Sequence, residues 1–180
     1  KANPLEFADF LAAHAAGRAL PQLADLARFD LAYGLAAQPG PTPSLAACCL
    51  PEEIIRSHPE MMLRFQPGWR YIRVEWPVHR LLPETLTLDL LRSFSGIEPV
   101  QLCIAPTGMG VSISELGAAE YALNVELRAG RRLAEAIKAA AAIDPSLDPF
   151  PLVGRLVEAG AIMDVVLHPA DAPSLAKPDL

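Results

Sequence analysis

The chain is 180 residues long, 52% hydrophobic and 20% charged, with a formal net charge of −6. A chain of that size buries a core without disulfide or metal staples, and its composition excludes a disordered segment. No run of about 18 apolar residues is present to cross a bilayer, and the acidic balance argues against a protein that coats duplex nucleic acid. Cys48, Cys49 and Cys103 are too few and too poorly spaced for a disulfide framework, so a reducing cytoplasm is the expected setting. The opening residues KANPLEF lack the segments of a signal peptide. Lys1 stands where methionine is expected, which points to a trimmed chain.

Of the 30 alanines, none lies between Ala47 and Ala105. Alanine favours helices and disfavours strands, so the flanks are expected to be helical and the middle mostly extended. The first helix is signalled by Asn3 as N-cap, Pro4 at the first helical position and Glu6 three residues after the cap; its expected stop is Gly17. A second helix follows from Pro21, with Leu23, Ala27, Leu31 and Leu35 at i/i+4 spacing and Leu26, Phe29 and Tyr33 widening the stripe. The PGPTP stretch at 39–43 is a linker. Residues 63–78, LRFQPGWRYIRVEWPV, read as a half-buried strand broken by Pro67-Gly68 and ending at or near Pro77. For ETLTLDLLRSF, periodicity leaves helix and strand open.

The last third predicts a hairpin, PVQLCIAP and VSISEL around the turn TGMG. Helices are expected at about 117–128, 132–143 and 149–159, then a short strand MDVVLH. Two strands, three helices and a strand is the order of a winged-helix-type module. The expected class is therefore α+β, divided into a helical region 1–38, a mixed central region 44–98, a winged-helix-like module 99–168 and a tail 169–180.

Chemistry is scarce. His14, His58, His79 and His168 are scattered, and there is no HExxH, CxxC or Cys/His cluster with ligand spacing. Ser57, His58 and Asp89 form a triad only on paper, with no GxSxG elbow beside them. TGMG lacks the lysine of a phosphate loop. Between Arg56 and Arg80, however, five arginines face two glutamates, with Phe65, Trp69, Tyr71 and Trp76 interleaved. One reading is a solvated arginine face over an aromatic core; the sharper one is a patch, through Arg70, Arg73, Arg80 and Trp76, that grips an acidic peptide, an enzyme surface or a phosphate backbone.

Leu20, Pro21, Leu23, Asp25, Leu26, Ala27 and Arg28, then His58-Pro59, then Trp76-Pro77-Val78, together resemble the bacterial family long labelled a DNA-binding domain. The further helical region that such proteins usually carry ahead of this point is absent or shortened here. Such proteins are similar to the partner subunits of multinuclear non-haem iron-dependent oxidative enzymes, which modify cysteines of ribosomally made precursor peptides. The resemblance implies a non-catalytic subunit that captures the peptide and presents it. It also implies no cofactor on this chain, with iron held only by the partner enzyme; the acidic balance and the lack of a long apolar run, in turn, lead to the expectation of no nucleic acid and no membrane among its partners. The C-terminal third is similar to the small winged-helix peptide-recognition elements of these pathways, through Gly130, Leu133, Glu135, Ala136, Leu156, Ala159, Gly160 and Ile162.

The alternative is a winged-helix transcriptional regulator. Charge disfavours it, because residues 115–164 carry five basic against eight acidic side chains, and the third helix, PFPLVGRLVEAG, offers one arginine. A peptide would add as a strand to the hairpin edge, Val111–Leu116. Val111, Ser112, Ile113 and Ser114 are the expected contacts, with Ser112 and Ser114 carrying edge donors. Leu152 and Leu156 are expected to floor a groove beside that edge, although Val111, Ile113, Leu152 and Leu156 suit a core equally well.

Overall fold

The computed structural model describes residues 4–38, 44–45, 50–82, 86–94 and 96–167. The Asn3 cap, the 39–43 linker, Cys48, Cys49, His168 and the 169–180 tail lie outside the described residues. The chain is α+β. In order its elements are α1 (Pro4–Ala13), α2 (Ala15–Ala19), α3 (Gln22–Ala36), α4 (Glu52–Ser57), β1 (Met62–Phe65), β2 (Arg70–Val74), a 3-10 helix (Val78–Leu81) and α5 (Leu88–Ser93). There follow β3 (Val100–Thr107), β4 (Gly110–Leu116), α6 (Ala118–Arg128), α7 (Leu133–Ala141), α8 (Pro149–Glu158) and β5 (Ile162–Val166). They form two compact units, Lys1–Gly40 with Pro67–Gly117, and Pro41–Gln66 with Ala118–Leu180. Both units run across the boundaries expected from sequence.

In the first unit, β2, β3 and β4 make an antiparallel sheet in that order. Phe29, Ala32 and Ala36 of α3 pack with Val74, Val78, Val100, Leu102 and Ile104; the two alanines let the helix sit close to the sheet. The expected stripe Leu23, Ala27, Leu31, Leu35 is only half-buried. The buried line is instead Gln22, Ala24, Asp25, Phe29, Ala32 and Ala36. A hydrophobicity count misses it because two members are polar and gain backbone partners: Gln22 Nε2 donates to the Leu91 carbonyl, and Asp25 caps the end of β2.

Gly17 does not stop the first helix. That helix ends at Ala13, and Gly17 lies inside α2, where a Cβ would run into the Leu11 carbonyl. The glycine is there for close approach. The middle of the chain is less extended than its lack of alanine suggests, since Glu52–Ser57 and Leu88–Ser93 are helical. The ambiguous ETLTLDLLRSF resolves as α5, whose start is fixed by the Leu90 N–H donating to Thr87 Oγ1 at 3.1 Å.

In the second unit β1 pairs antiparallel with β5, from Met62↔Val166 to Phe65↔Ile162 with an irregularity after Arg64. The other side of β1 meets Arg132 at an isolated bridge. The Leu45 N–H donates to the Ile162 carbonyl at 2.7 Å, on the outer side of β5. Leu123, Leu127, Leu133, Ala136, Val153 and Ile162 are fully buried. Gly130 leaves α6 with φ +77°, and Asp148 caps α8 ahead of Pro149. All three expected C-terminal helices are present. The strands around them pair differently from their sequence order: β5 joins β1, while the hairpin joins β2.

Candidate functional site

Strand β4 is the outer strand of its sheet among the described residues, and its backbone orientation follows from one proline. Antiparallel partners alternate between pairs that exchange hydrogen bonds and pairs that do not. Pro106, opposite Val111, has no N–H to exchange, so that pair is of the second kind. Cys103↔Ser114 and Ala105↔Ser112 are then of the first. The main-chain groups of Ser112 and Ser114 turn inward to β3; those of Val111, Ile113 and Glu115 turn to the free edge. This corrects the expectation that Ser112 and Ser114 carry the edge donors. Sequence alone misses it because it does not give the register that puts Pro106 opposite Val111.

Side chains sort the other way. Val111 and Ile113 pack on the core under α3, whereas Ser112 and Ser114 are exposed on the opposite face, with Ser112 Oγ donating to the Ala105 carbonyl at 3.4 Å. The edge strand thus packs its half-buried apolar side chains on the core, and no strand lies on its outer side among the described residues. Leu152 and Leu156 belong to the other compact unit, where they are 8% and 7% exposed. They are core residues and give no open groove floor.

The C-terminal end of β4 is held by charge. Glu115 accepts from His79 Nε2 at 2.8 Å and from Arg80 Nη2 at 2.9 Å; Arg80 also makes two parallel hydrogen bonds to Glu98, at 2.8 and 2.9 Å. The Arg80 and His79 bonds hold the Glu115 carboxyl below the usual carboxylate range, and Glu98, then Glu115, push the Arg80 guanidinium further up.

The arginine-rich stretch is divided between the two units. Arg56 and Arg64 fall in the second unit, and Arg70, Arg73 and Arg80 in the first. Arg80 is consumed by Glu98 and Glu115, Arg70 donates to the Pro67 and Trp69 carbonyls, and Arg73 lies 3.6 Å from Glu75. Trp76 is half-buried against the core, its ring centroid 6.4 Å from that of Phe94. Counting charges along the sequence overlooks carboxylates brought in from residues 98 and 115. Ser57 and His58 bond each other at 2.9 Å, while Asp89 belongs to the other unit, where it pairs with Arg92 at 3.4 Å. Among the described residues no group of three or more His, Cys, Asp or Glu side chains is gathered to hold a metal ion, and no helix is long and apolar enough to cross a membrane.

The structure joins two of the three stretches that carry the family resemblance, that of Asp25 and that of Trp76, while His58-Pro59 belongs to the other unit. Asp25 is 3% exposed. Its Oδ2 accepts from the Glu75 and Trp76 N–H groups at 2.7 and 3.0 Å, and its Oδ1 accepts from Arg28 at 2.8 Å. No family model matches the chain, and no curated protein matches it.

Proposed function

We propose that this protein is a non-catalytic partner subunit that binds a ribosomally made precursor peptide and presents it to an iron-dependent oxidative enzyme acting on the peptide's cysteines. The supporting observation is the outer edge of β4, which has no strand beside it among the described residues and toward which the amides of Val111, Ile113 and Glu115 turn. An unstructured peptide gains affinity there by main-chain hydrogen bonding, with alternate side chains reading the flanking surface. The joint between Asp25 and the Glu75–Trp76 amides supports the family resemblance, because it ties two of its separated motifs together. The winged-helix-like reading of residues 99–168 is part of the proposal, and its support is the element order of hairpin, α6, α7, α8 and β5. A groove-reading regulator has less support: α8 buries Leu152, Val153, Leu156 and Val157, and its Arg155 is turned to Glu120 at 3.2 Å.

The test is fluorescence anisotropy with a labelled cysteine-containing peptide encoded beside this gene. Val111→Pro removes one outward donor and no ladder bond, so affinity falls at least about tenfold while the circular dichroism spectrum is kept. Unchanged affinity in the folded variant overturns strand addition at β4. Tight sequence-selective binding of duplex DNA by the wild type would favour the regulator.

A further inference from the structure

We propose that the cleft between α4 and α8 is an anchor pocket for a lysine or arginine side chain of a bound peptide. The proposal rests on the peptide-binding reading above but concerns a different site. The cleft measures about 370 Å³ and lies wholly within the second unit. Leu50 and Val157, both buried, line it together with Pro51 and Pro151. Its walls are braced. Arg56 of α4 binds Glu52 at 2.6 Å and Asp148, the cap of α8, at 3.1 Å, and its guanidinium lies 4.1 Å from the Phe150 ring centroid.

Gly154 is the unusual member. It sits in the interior of α8, where glycine costs about 1 kcal/mol relative to alanine. Neither backbone nor packing requires it: its φ is not in the left-handed region, and a Cβ there would meet nothing within 4 Å. What its missing side chain leaves is open space in the cleft wall, where another molecule can approach the helix backbone.

The rim decides the ligand. Glu52, Arg155 and Glu158 border the cleft. Arg155 is turned to Glu120 and Glu52 is held by Arg56, whereas Glu158 makes no ion pair among the described residues. A cleft lined by Leu50, Pro51, Pro151 and Val157 and bordered by a carboxylate without an ion pair among the described residues fits a side chain with a methylene stem and a cationic head. An acidic side chain would meet both glutamates, and a purely apolar one would leave the carboxylate unused.

The test is an amide NMR titration of the full chain with the tripeptide Ac-Ala-Lys-Ala-NH2 and its norleucine and glutamate counterparts. The lysine peptide should move the Gly154 resonance and bind at least about fivefold tighter than the norleucine peptide, and the glutamate peptide should leave that resonance in place. Glu158→Gln should remove the lysine advantage and leave norleucine binding unchanged. Gly154→Leu should abolish binding; if that variant does not fold, Gly154→Ala should weaken binding while raising the Tm. A Gly154 resonance that ignores the lysine peptide, or a lysine preference that survives Glu158→Gln, overturns the proposal. Val111→Pro should leave this titration unaltered, so failure of strand addition at β4 is read separately from failure of the pocket.

Discussion

Asp25 accepts a hydrogen bond from the Trp76 backbone N–H at 3.0 Å, and through it helix α3 holds the end of strand β2. The same oxygen takes the Glu75 N–H, so one buried carboxylate serves two amides that lie beyond the regular ladder of β2. Removing it leaves both without an acceptor. Asp25→Ala should lower the free energy of unfolding by about 2–4 kcal/mol in urea denaturation, and Asp25→Asn, which keeps one acceptor oxygen, by clearly less. A loss under about 0.5 kcal/mol in the alanine variant would mean that water replaces the carboxylate without cost.

The Glu115 cluster makes a prediction about acid. Arg80 first, and His79 second, hold the Glu115 carboxyl below its ordinary value. A group whose folded pKa is depressed stabilises fully above its unfolded pKa, about 4.3 for glutamate, and loses that contribution as pH falls through the folded value. Wild type and Glu115→Gln should therefore differ in Tm at pH 6 and converge towards pH 3. A gap that stays constant across that range would place the effect in packing instead of charge.

Charge reversal separates the arginines. Arg80→Glu breaks a bidentate pair and the bond to Glu115, and sets a third carboxylate among Glu98 and Glu115; its Tm should fall. Arg73→Glu disturbs one loose contact on an exposed strand face, and its Tm should stay within error. Thermal melts of the two variants at low and high salt settle the comparison, with the Arg80 effect shrinking as salt rises.

Two sites should respond against ordinary expectation. Gly17→Ala puts a better helix former into α2, yet it should destabilise, because the new methyl meets the Leu11 carbonyl. Asn124 is 3% exposed on α6, and its Oδ1 has no hydrogen-bond partner among the described residues. Asn124→Leu removes an unsatisfied buried acceptor and should raise the Tm. A lower Tm would show that Asn124 is held by a bridging water.

Much of the fold is legible in the sequence where local signals act alone. The starts of α3 at Pro21 and of α8 at Asp148-Pro149, the hairpin around TGMG and the helix stop at Gly130 all need only a few neighbouring residues. What escapes is set by distant partners. Gln22 and Asp25 look solvent-facing until Leu91 and Trp76 arrive from far along the chain, and Arg80 looks available until Glu98 and Glu115 claim it. The β4 edge is visible as a strand, but which of its amides point outward depends on Pro106 across the ladder. Nothing in the apolar pattern of PFPLVGRLVEAG distinguishes a groove floor from a core; the burial of Leu152 and Leu156 does.

The pairing of β1 with β5 has a kinetic consequence. All segments of the first unit have been made once residue 117 is synthesised, whereas the second waits for residues 162–166 to meet a strand made about a hundred residues earlier. At about 5–20 residues per second on the ribosome, β1 spends several seconds or more with no strand beside it. Pairing so remote in sequence is slow to close, and an unpaired Met-Leu-Arg-Phe segment invites association with other chains. Newly made molecules therefore pass through an interval when half the protein is finished and the other half is a waiting strand, and that interval is where chaperones would matter most to the yield.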